Sequence, residues 1–448
     1  MTYRLQGRRL VTLAVPIILT QVGMNLLGVV DTIMAGRYSV EVLAAAALGH
    51  LWTFGTLIFA MGIVFGIDPI VTQAHGARDS ERMGLALQRG LVVALIATLP
   101  TIGLWLATEK ILIALGQDPR LASLAHDYTV IQLPSVPFFL GFLALRQYLQ
   151  GRGIVRPALF VVLASNLCNI LFNWIFIFGK LGAPEMGVVG AGLATALTRG
   201  VMFGVMLALV LRGRLYIGAW TPWSRRSLKP NRLGEILNHG VSIGVQYSLE
   251  VWAFQIVMLW AGHLGEAQLA AHSVVINMVS MSFMIPFGLS QAATTRVGNL
   301  LGENKPQQAH RAAWIALGMG GGLMCFFAVF FAVFRDELPK IYSADPRVIL
   351  LGASILPIAA GFQIFDGIQA VGGGILRGMG RTRPAAIFNL FGYYLLALPL
   401  AWWLGFRTDL GLRGLWWGLA LGLALIASTL LIWIRRNGPM TLQPGRAE

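Results

Sequence analysis

Long apolar runs separated by short polar stretches make up the whole chain. Cutting it at charged and turn residues leaves twelve apolar segments, near residues 11–35, 44–70, 90–108, 127–149, 158–179, 187–211, 236–262, 269–295, 312–334, 348–376, 385–405 and 412–434. Nearly all of them approach or exceed the roughly 20 residues that an α-helix needs to cross a hydrocarbon layer. Only a helix or a closed barrel satisfies its backbone without water, and runs this long fit helices. The pattern predicts an all-α membrane protein with twelve transmembrane helices.

Composition excludes the soluble alternative. Of 448 residues, 56% are hydrophobic and 12% charged, where a soluble chain carries about a quarter charged residues. The net charge of +15 would suit a nucleic-acid partner only if the basic residues formed one continuous face. They sit instead in short separated loops, so no nucleic-acid partner is expected. Alternate loops together with the two termini hold 24 Lys and Arg, the other loops hold 9, and Arg199 lies inside a span. Basic residues accumulate on the cytoplasmic side of short loops, so this asymmetry supports an even span count with both termini cytoplasmic. Arg4, Arg8 and Arg9 ahead of an apolar run resemble the start of a signal peptide, but the run continues to about Gly36 without a persuasive cleavage site. It is read as a retained first helix. Cys168 and Cys325 lie inside apolar runs, offer neither disulfide framework nor metal spacing, and are assigned to packing.

The two halves repeat. Leu149-Gln-Gly-Arg-Gly153 through Arg156-Pro157-Ala158 aligns with Leu376-Arg-Gly-Met-Gly380 through Arg383-Pro384-Ala385, and Asp118-Pro-Arg120 aligns with Asp345-Pro-Arg347 in the same register. Ala35-Gly36 and Leu43 pair with Ala261-Gly262 and Leu269, and Gly66–Gly76 pairs with Gly288–Gly298. Six spans per half is even, so both copies enter the membrane in the same sense and are related by a pseudo-two-fold axis along the membrane normal. The expected organisation is an N-terminal six-helix lobe over 1–211, a basic cytoplasmic linker over 212–235 and a C-terminal six-helix lobe over 236–448. The linker is expected to be the most exposed segment.

Three carboxylates fall inside spans, where an unpaired acid costs several kcal/mol and marks function by default. Asp31 lies in the outer half of the first span, and Glu250 and Asp366 lie near mid-depth in the seventh and tenth. The fifth span carries Asn166, Asn169 and Asn173 on one helical face, and Thr195 of the sixth shares their depth. A carboxylate with neutral oxygens suits a hard cation or a proton. Structural alternatives stand beside this reading: Asp31 paired with Arg37, Glu250 bonded to an Asn or His, and the Asn stripe as interhelical glue. Asp68, before Pro69, reads as a cap or turn residue. Pro16, Pro134, Pro137, Pro286 and Pro357 are bend candidates.

Several stretches taken together resemble one family. Val30-Asp31-Thr32-Ile-Met-Ala-Gly36, Gln73-Ala-His-Gly-Ala77, Leu145-Arg146-Gln-Tyr-Leu-Gln150, Asn169-Ile-Leu-Phe-Asn173-Trp174, Arg296-Val-Gly298, Asp366-Gly-Ile-Gln-Ala370 and Leu376-Arg-Gly-Met-Gly380 are similar to the multidrug and toxic compound extrusion (MATE) transporters, in the bacterial NorM-like branch. The resemblance implies two six-helix lobes around a cleft that opens alternately to each side of the bacterial inner membrane. It implies export of cationic or amphiphilic drugs against inward flow of Na+ or H+, with no enzymatic chemistry and no cofactor beyond the transported ion. It assigns Asp31, Asn169, Asn173 and Thr195 to a first-lobe cation or proton site and Glu250 with Asp366 to a second. The three acids would be transient Na+ ligands if Na+ is the coupling ion, Pro16 would be the bend of the first helix, and the protein would act as a monomer. One departure stands out: Phe362 occupies a position where sodium-coupled relatives can carry a tyrosine, which puts the completeness of the second site in question. A lipid-linked oligosaccharide flippase of the same architecture is the alternative, but it would be expected to line its cavity with several Arg for pyrophosphate.

Overall fold

The computed structural model describes residues 3–442. Met1, Thr2 and residues 443–448, which include the basic Arg446, lie outside the described residues. Among the described residues all regular structure is helical. Twelve long helices follow one another: α1 (Tyr3–Tyr38), α2 (Val40–Gly76), α3 (Ser80–Leu106), α4 (Pro119–Gly151), α5 (Arg156–Phe178), α6 (Gly187–Arg212), α7 (Pro230–Leu264), α8 (Glu266–Gly302), α9 (Pro306–Val333), α10 (Pro346–Gly378), α11 (Arg383–Phe406) and α12 (Leu412–Asn437). Every apolar segment read from the sequence falls on one of them, give or take one or two terminal residues. Eleven are long and apolar enough to cross a bilayer on hydropathy alone. The twelfth, α7, spans 35 residues, about 52 Å at 1.5 Å per residue. Its hydropathy is diluted by Glu235, Asn238, His239, Gln246 and Glu250.

The repeat is visible in the local geometry that starts and stops helices. Asp118 caps α4 by accepting from the backbone N–H of Arg120 and Leu121 at 2.9 and 3.1 Å, and Asp345 caps α10 by accepting from that of Arg347 at 2.8 Å, each with Pro at the first helical position. A side-chain acceptor at this position satisfies a backbone donor that the helix leaves free. Both helices end on a glycine with positive φ, Gly153 at 76° and Gly380 at 74°. Ile154 N–H donates to Leu149 and Gly153 N–H to Gln150, and Arg381 and Gly380 do the same with Leu376 and Arg377. This paired closure needs a left-handed residue, which glycine adopts without a Cβ penalty.

Packing divides the chain into two units. One is Leu19–Gly244; the other joins the residues through Ile18 to those from Val245 onward. The divisions fall inside α1, two residues beyond Pro16, and inside α7, rather than in the connector between the sixth and seventh spans. Glycines make these packings close. Within the first unit, a Cβ on Gly62 of α2 would lie 2.3 Å from the Gly244 Cα, one on Gly66 2.3 Å from the Ile236 carbonyl oxygen, and one on Gly240 2.3 Å from that of Ile63. Within the second, a Cβ on Gly288 of α8 would lie 2.5 Å from Ile18 Cγ1 and 2.8 Å from its Cα.

The connector is largely exposed, as its charge suggested, yet it is anchored at several points. Ala219 and Ser227 are buried, and its backbone carbonyls are taken by side chains of the first unit. Tyr148 Oη donates to Ala219 O at 2.7 Å, Gln88 Nε2 to Thr221 O at 2.6 Å, Arg89 Nη2 to Arg226 O at 3.0 Å, and Arg152 to Leu215 O and Ile217 O. Helix α7 already begins at Pro230, inside the expected linker. Cys168 is partly buried and Cys325 is exposed, so the packing role assigned to both holds at most for Cys168.

Candidate functional site

The first carboxylate is buried at the junction of α1, α5 and α6. Asn169 and Asn173, one turn apart on α5, donate from Nδ2 to Asp31 Oδ1 at 3.0 and 2.6 Å. Thr195 Oγ1 of α6 donates to Asp31 Oδ2 at 2.7 Å. The amide of Asn173 also reaches Asn169 Oδ1 at 3.2 Å, while its own Oδ1 is buried without a partner among the described residues. Asn166 leaves this group: its amide donates to Gly23 O and Val162 O, both at 2.9 Å, and so ties α5 to α1. Arg37 forms no ion pair with Asp31 among the described residues.

A cavity of about 130 Å³ opens beside Asp31, lined also by Met24, His50, Asn169, Thr195 and Arg199. That volume admits several waters. His50 stacks on Phe54 with ring centroids 6.2 Å apart, and its imidazole faces Gly28, one turn before Asp31. Among the described residues Arg199 forms no ion pair, although its charge reaches Asp31. Its guanidinium lies over Phe139 at 5.1 Å and near Trp105 at 5.9 Å, and Nη1 donates to Ser135 at 3.3 Å. Ring faces attract such a cation where water is scarce.

The other two acids sit among α7, α10 and α11. Gln369 Nε2 donates to Glu250 Oε2 at 3.0 Å and Asn389 Nδ2 to the same oxygen at 3.5 Å; Asn389 Nδ2 also reaches Gln246 O at 3.3 Å. Asp366, three residues before Gln369, is buried, and its Oδ1 has no partner among the described residues. Phe362, one turn earlier, has no oxygen to offer and packs edge-on against Phe254 and Trp416. A hydroxyl nevertheless reaches this region from another helix. Tyr393 packs against the same Phe254, is fully buried, carries an unpartnered Oη, and interacts electrostatically with both Glu250 and Asp366. It belongs to a π-helical stretch, Leu390–Ala397, the kind of local widening that re-aims side chains inside long helices. No cluster of three His, Cys, Asp or Glu side chains gathers among the described residues, so any cation here would rely on carboxylates with amide and hydroxyl oxygens.

The MatE family model matches this chain twice, over residues 16–175 and 242–403, once in each half. A probable multidrug resistance protein NorM from Mesorhizobium japonicum is 36% identical over 97% of this chain and 95% of its own length. The multidrug resistance protein MdtK of Cronobacter sakazakii is 34% identical over 97% of this chain and 96% of its own. The crystal structure of a eukaryotic MATE transporter, AtDTX14, superimposes with a TM-score of 0.91 at 25% identity, covering 98% of this chain and 97% of that one. The chain belongs to the MATE family. It is therefore a multi-pass membrane transporter with twelve transmembrane helices. Two separate MatE matches also coincide with the internal repeat.

In this MATE protein Asp31, Asn169, Asn173 and Thr195 lie in direct contact, and Glu250 lies with Asp366 in a second group. His50, Gln369, Asn389 and Tyr393 join these groups although the sequence pattern does not single them out. His50, Asn389 and Tyr393 are polar residues within apolar runs, so the signal that singled out the acids was present for them too. Asp68 accepts from Gln147 Nε2 at 2.9 Å and opens the last helical stretch of α2, next to Pro69.

Proposed function

We propose that this protein is a cation-coupled antiporter that exports cationic or amphiphilic toxic compounds across the bacterial inner membrane by alternating access, with both termini cytoplasmic. One observation carries the reading: among the described residues, none of the three buried span acids is paired with a basic side chain. Their partners are neutral amides and hydroxyls, or absent. A buried negative charge without an ion-pair partner is costly; the charge of Arg199 reaches Asp31 only across the cavity, so a neutralising charge that arrives with the cargo, as a proton, a sodium ion or a cationic drug, is favoured at these acids. Two cations that compete for one carboxylate are thermodynamically coupled, each lowering the other's affinity. That competition is what an exchanger needs.

The donor set fits a hard cation. Asp366, Glu250, the carbonyl oxygen of Asn389 and the Tyr393 hydroxyl are all oxygens, and Tyr393 offers the hydroxyl that Phe362 lacks. The driving force is sufficient. A monovalent ion entering through about 100 mV yields about 2.3 kcal/mol, and a tenfold gradient adds about 1.4 kcal/mol. Together these sustain a roughly several-hundred-fold gradient of a neutral solute. A monovalent cationic drug forgoes the voltage component, which leaves about tenfold per ion.

The test is efflux of a fluorescent cation from everted vesicles with sodium and pH varied independently. Glu250→Gln and Asp366→Asn are expected to insert normally and to lose ion-driven efflux. Full export by both variants would reject their coupling role.

A further inference from the structure

A second cleft lies far along the chain from the acids, between the start of α1 and the end of α8. It measures about 380 Å³ and is lined by Leu5, Arg8, Arg9, Thr12 and Leu13 of α1 with Arg296 and Asn299 of α8. The five α1 residues follow the i, i+3, i+4, i+7, i+8 spacing that puts side chains on one helical face. Three arginines thus line one space, with no acidic residue beside them among the described residues. Among the described residues none of the three forms an ion pair. Glu303, the acid whose charge reaches Arg296, is held by Lys305 at 2.7 Å.

Arg296 makes this a built site rather than a basic surface. It is 6% exposed, and its Nε donates to Gln6 Oε1 at 3.0 Å, while Gln6 Nε2 donates in turn to Gln308 Oε1 of α9 at 3.3 Å. One edge of the guanidinium is used to hold α1 against its neighbours. Beside it, Nη2 is buried without a partner among the described residues. A buried charged donor left unmatched is costly, and the nearby charge of Arg9 acts against it. An anion in the cleft relieves both. Guanidinium forks match phosphate oxygens two at a time, and at about 30 Å³ per water the cleft holds roughly a dozen waters' worth of volume. That is enough for a phosphate with a small alcohol attached.

We propose that this cleft binds a phosphate-bearing anion through Arg8, Arg9 and Arg296, supplied either by an anionic phospholipid headgroup or by a soluble phosphate. The leucines that wall it, and its place at helix ends on the basic-rich face of the protein, suit a headgroup held between spans. Bound there, the anion bridges α1 to α8 on the stretch of α1 before Pro16, and so strengthens the hold that Gln6 and Arg296 already provide.

The experiment uses the purified full chain in a neutral detergent and follows thermal unfolding and native mass spectra with added phosphatidylglycerol, phosphatidylcholine or inorganic phosphate. Phosphatidylglycerol is expected to raise the midpoint and leave a retained adduct where phosphatidylcholine does neither; a shift with inorganic phosphate alone identifies the soluble source. The double variant Arg8→Gln, Arg9→Gln alters only exposed side chains and is expected to bind roughly tenfold more weakly or worse. Arg296→Gln should act likewise, and Lys340→Gln on the opposite set of loops should leave binding unchanged. No shift with either anion, or equal binding by the double variant and the parent, overturns the proposal.

Discussion

Asp31 accepts from two helices at once, so a cation that takes over this carboxylate must loosen Asn169, Asn173 or Thr195 and thereby disturb the seam of α1 with α5 and α6. Thr195→Val keeps the shape and removes one donor to a charged acceptor, which is expected to cost about 1.5–3 kcal/mol. A lowered midpoint in a thermal melt, restored by Thr195→Ser, is the measurement. At the second acid pair the logic reverses. The Tyr393 hydroxyl has no partner among the described residues, so Tyr393→Phe should change stability by no more than about 0.5 kcal/mol. Its effect is expected on ion dependence: the concentration of Na+ or H+ that half-saturates efflux should rise several-fold. Identical ion dependence in the two proteins would remove Tyr393 from the site.

The elements show which parts of this architecture can be read from residues alone. Caps and closures are local, and Asp118-Pro-Arg120 with Gly153 and Gly380 announces them directly. Asp118→Ala should cost about 1 kcal/mol through loss of its cap, visible as a shifted denaturation midpoint. The partner cap carries a pH signature. Arg347 holds the Asp345 carboxyl below the usual carboxylate range, so the cap is intact at neutral pH and is lost only as pH falls through that lowered value. Mean hydropathy alone marks eleven spans, and α7 falls short because it carries polar residues such as Gln246 and Glu250, although its apolar run over 236–262 is legible in the sequence. The acids and the Asn stripe were legible because a polar residue in a span has few innocent explanations. The π-helical stretch was not. It arises where Gly392 abuts Ile426 so closely that a Cβ would lie 2.0 Å away, a tertiary contact with no periodic trace in the sequence. The docking of the connector was equally hidden, because it uses backbone carbonyls that every residue possesses.

At the level of the whole molecule, the contrast of 24 against 9 basic residues makes orientation testable. A reporter active only after export, fused to either end of the chain, is expected to stay inactive, and activity at either end would contradict the proposed topology. Gly66 and Gly288 occupy matched places in the repeat, and each receives the opening stretch of the other half's first helix: Gly66 meets Ile236 of α7, and Gly288 meets Ile18 of α1. Gly66→Val should therefore be more damaging than an average span substitution, by about 1–3 kcal/mol. The exchange also sets an order on biogenesis. On the ribosome, residues 3–18 emerge ahead of the α8 surface they will pack against, and the unit closed by Gly244 stays unfinished until translation has passed the connector. A nascent chain stalled at residue 212 would leave both ends of that exchange unmet, so the two halves are expected to mature as one obligatory product rather than in succession.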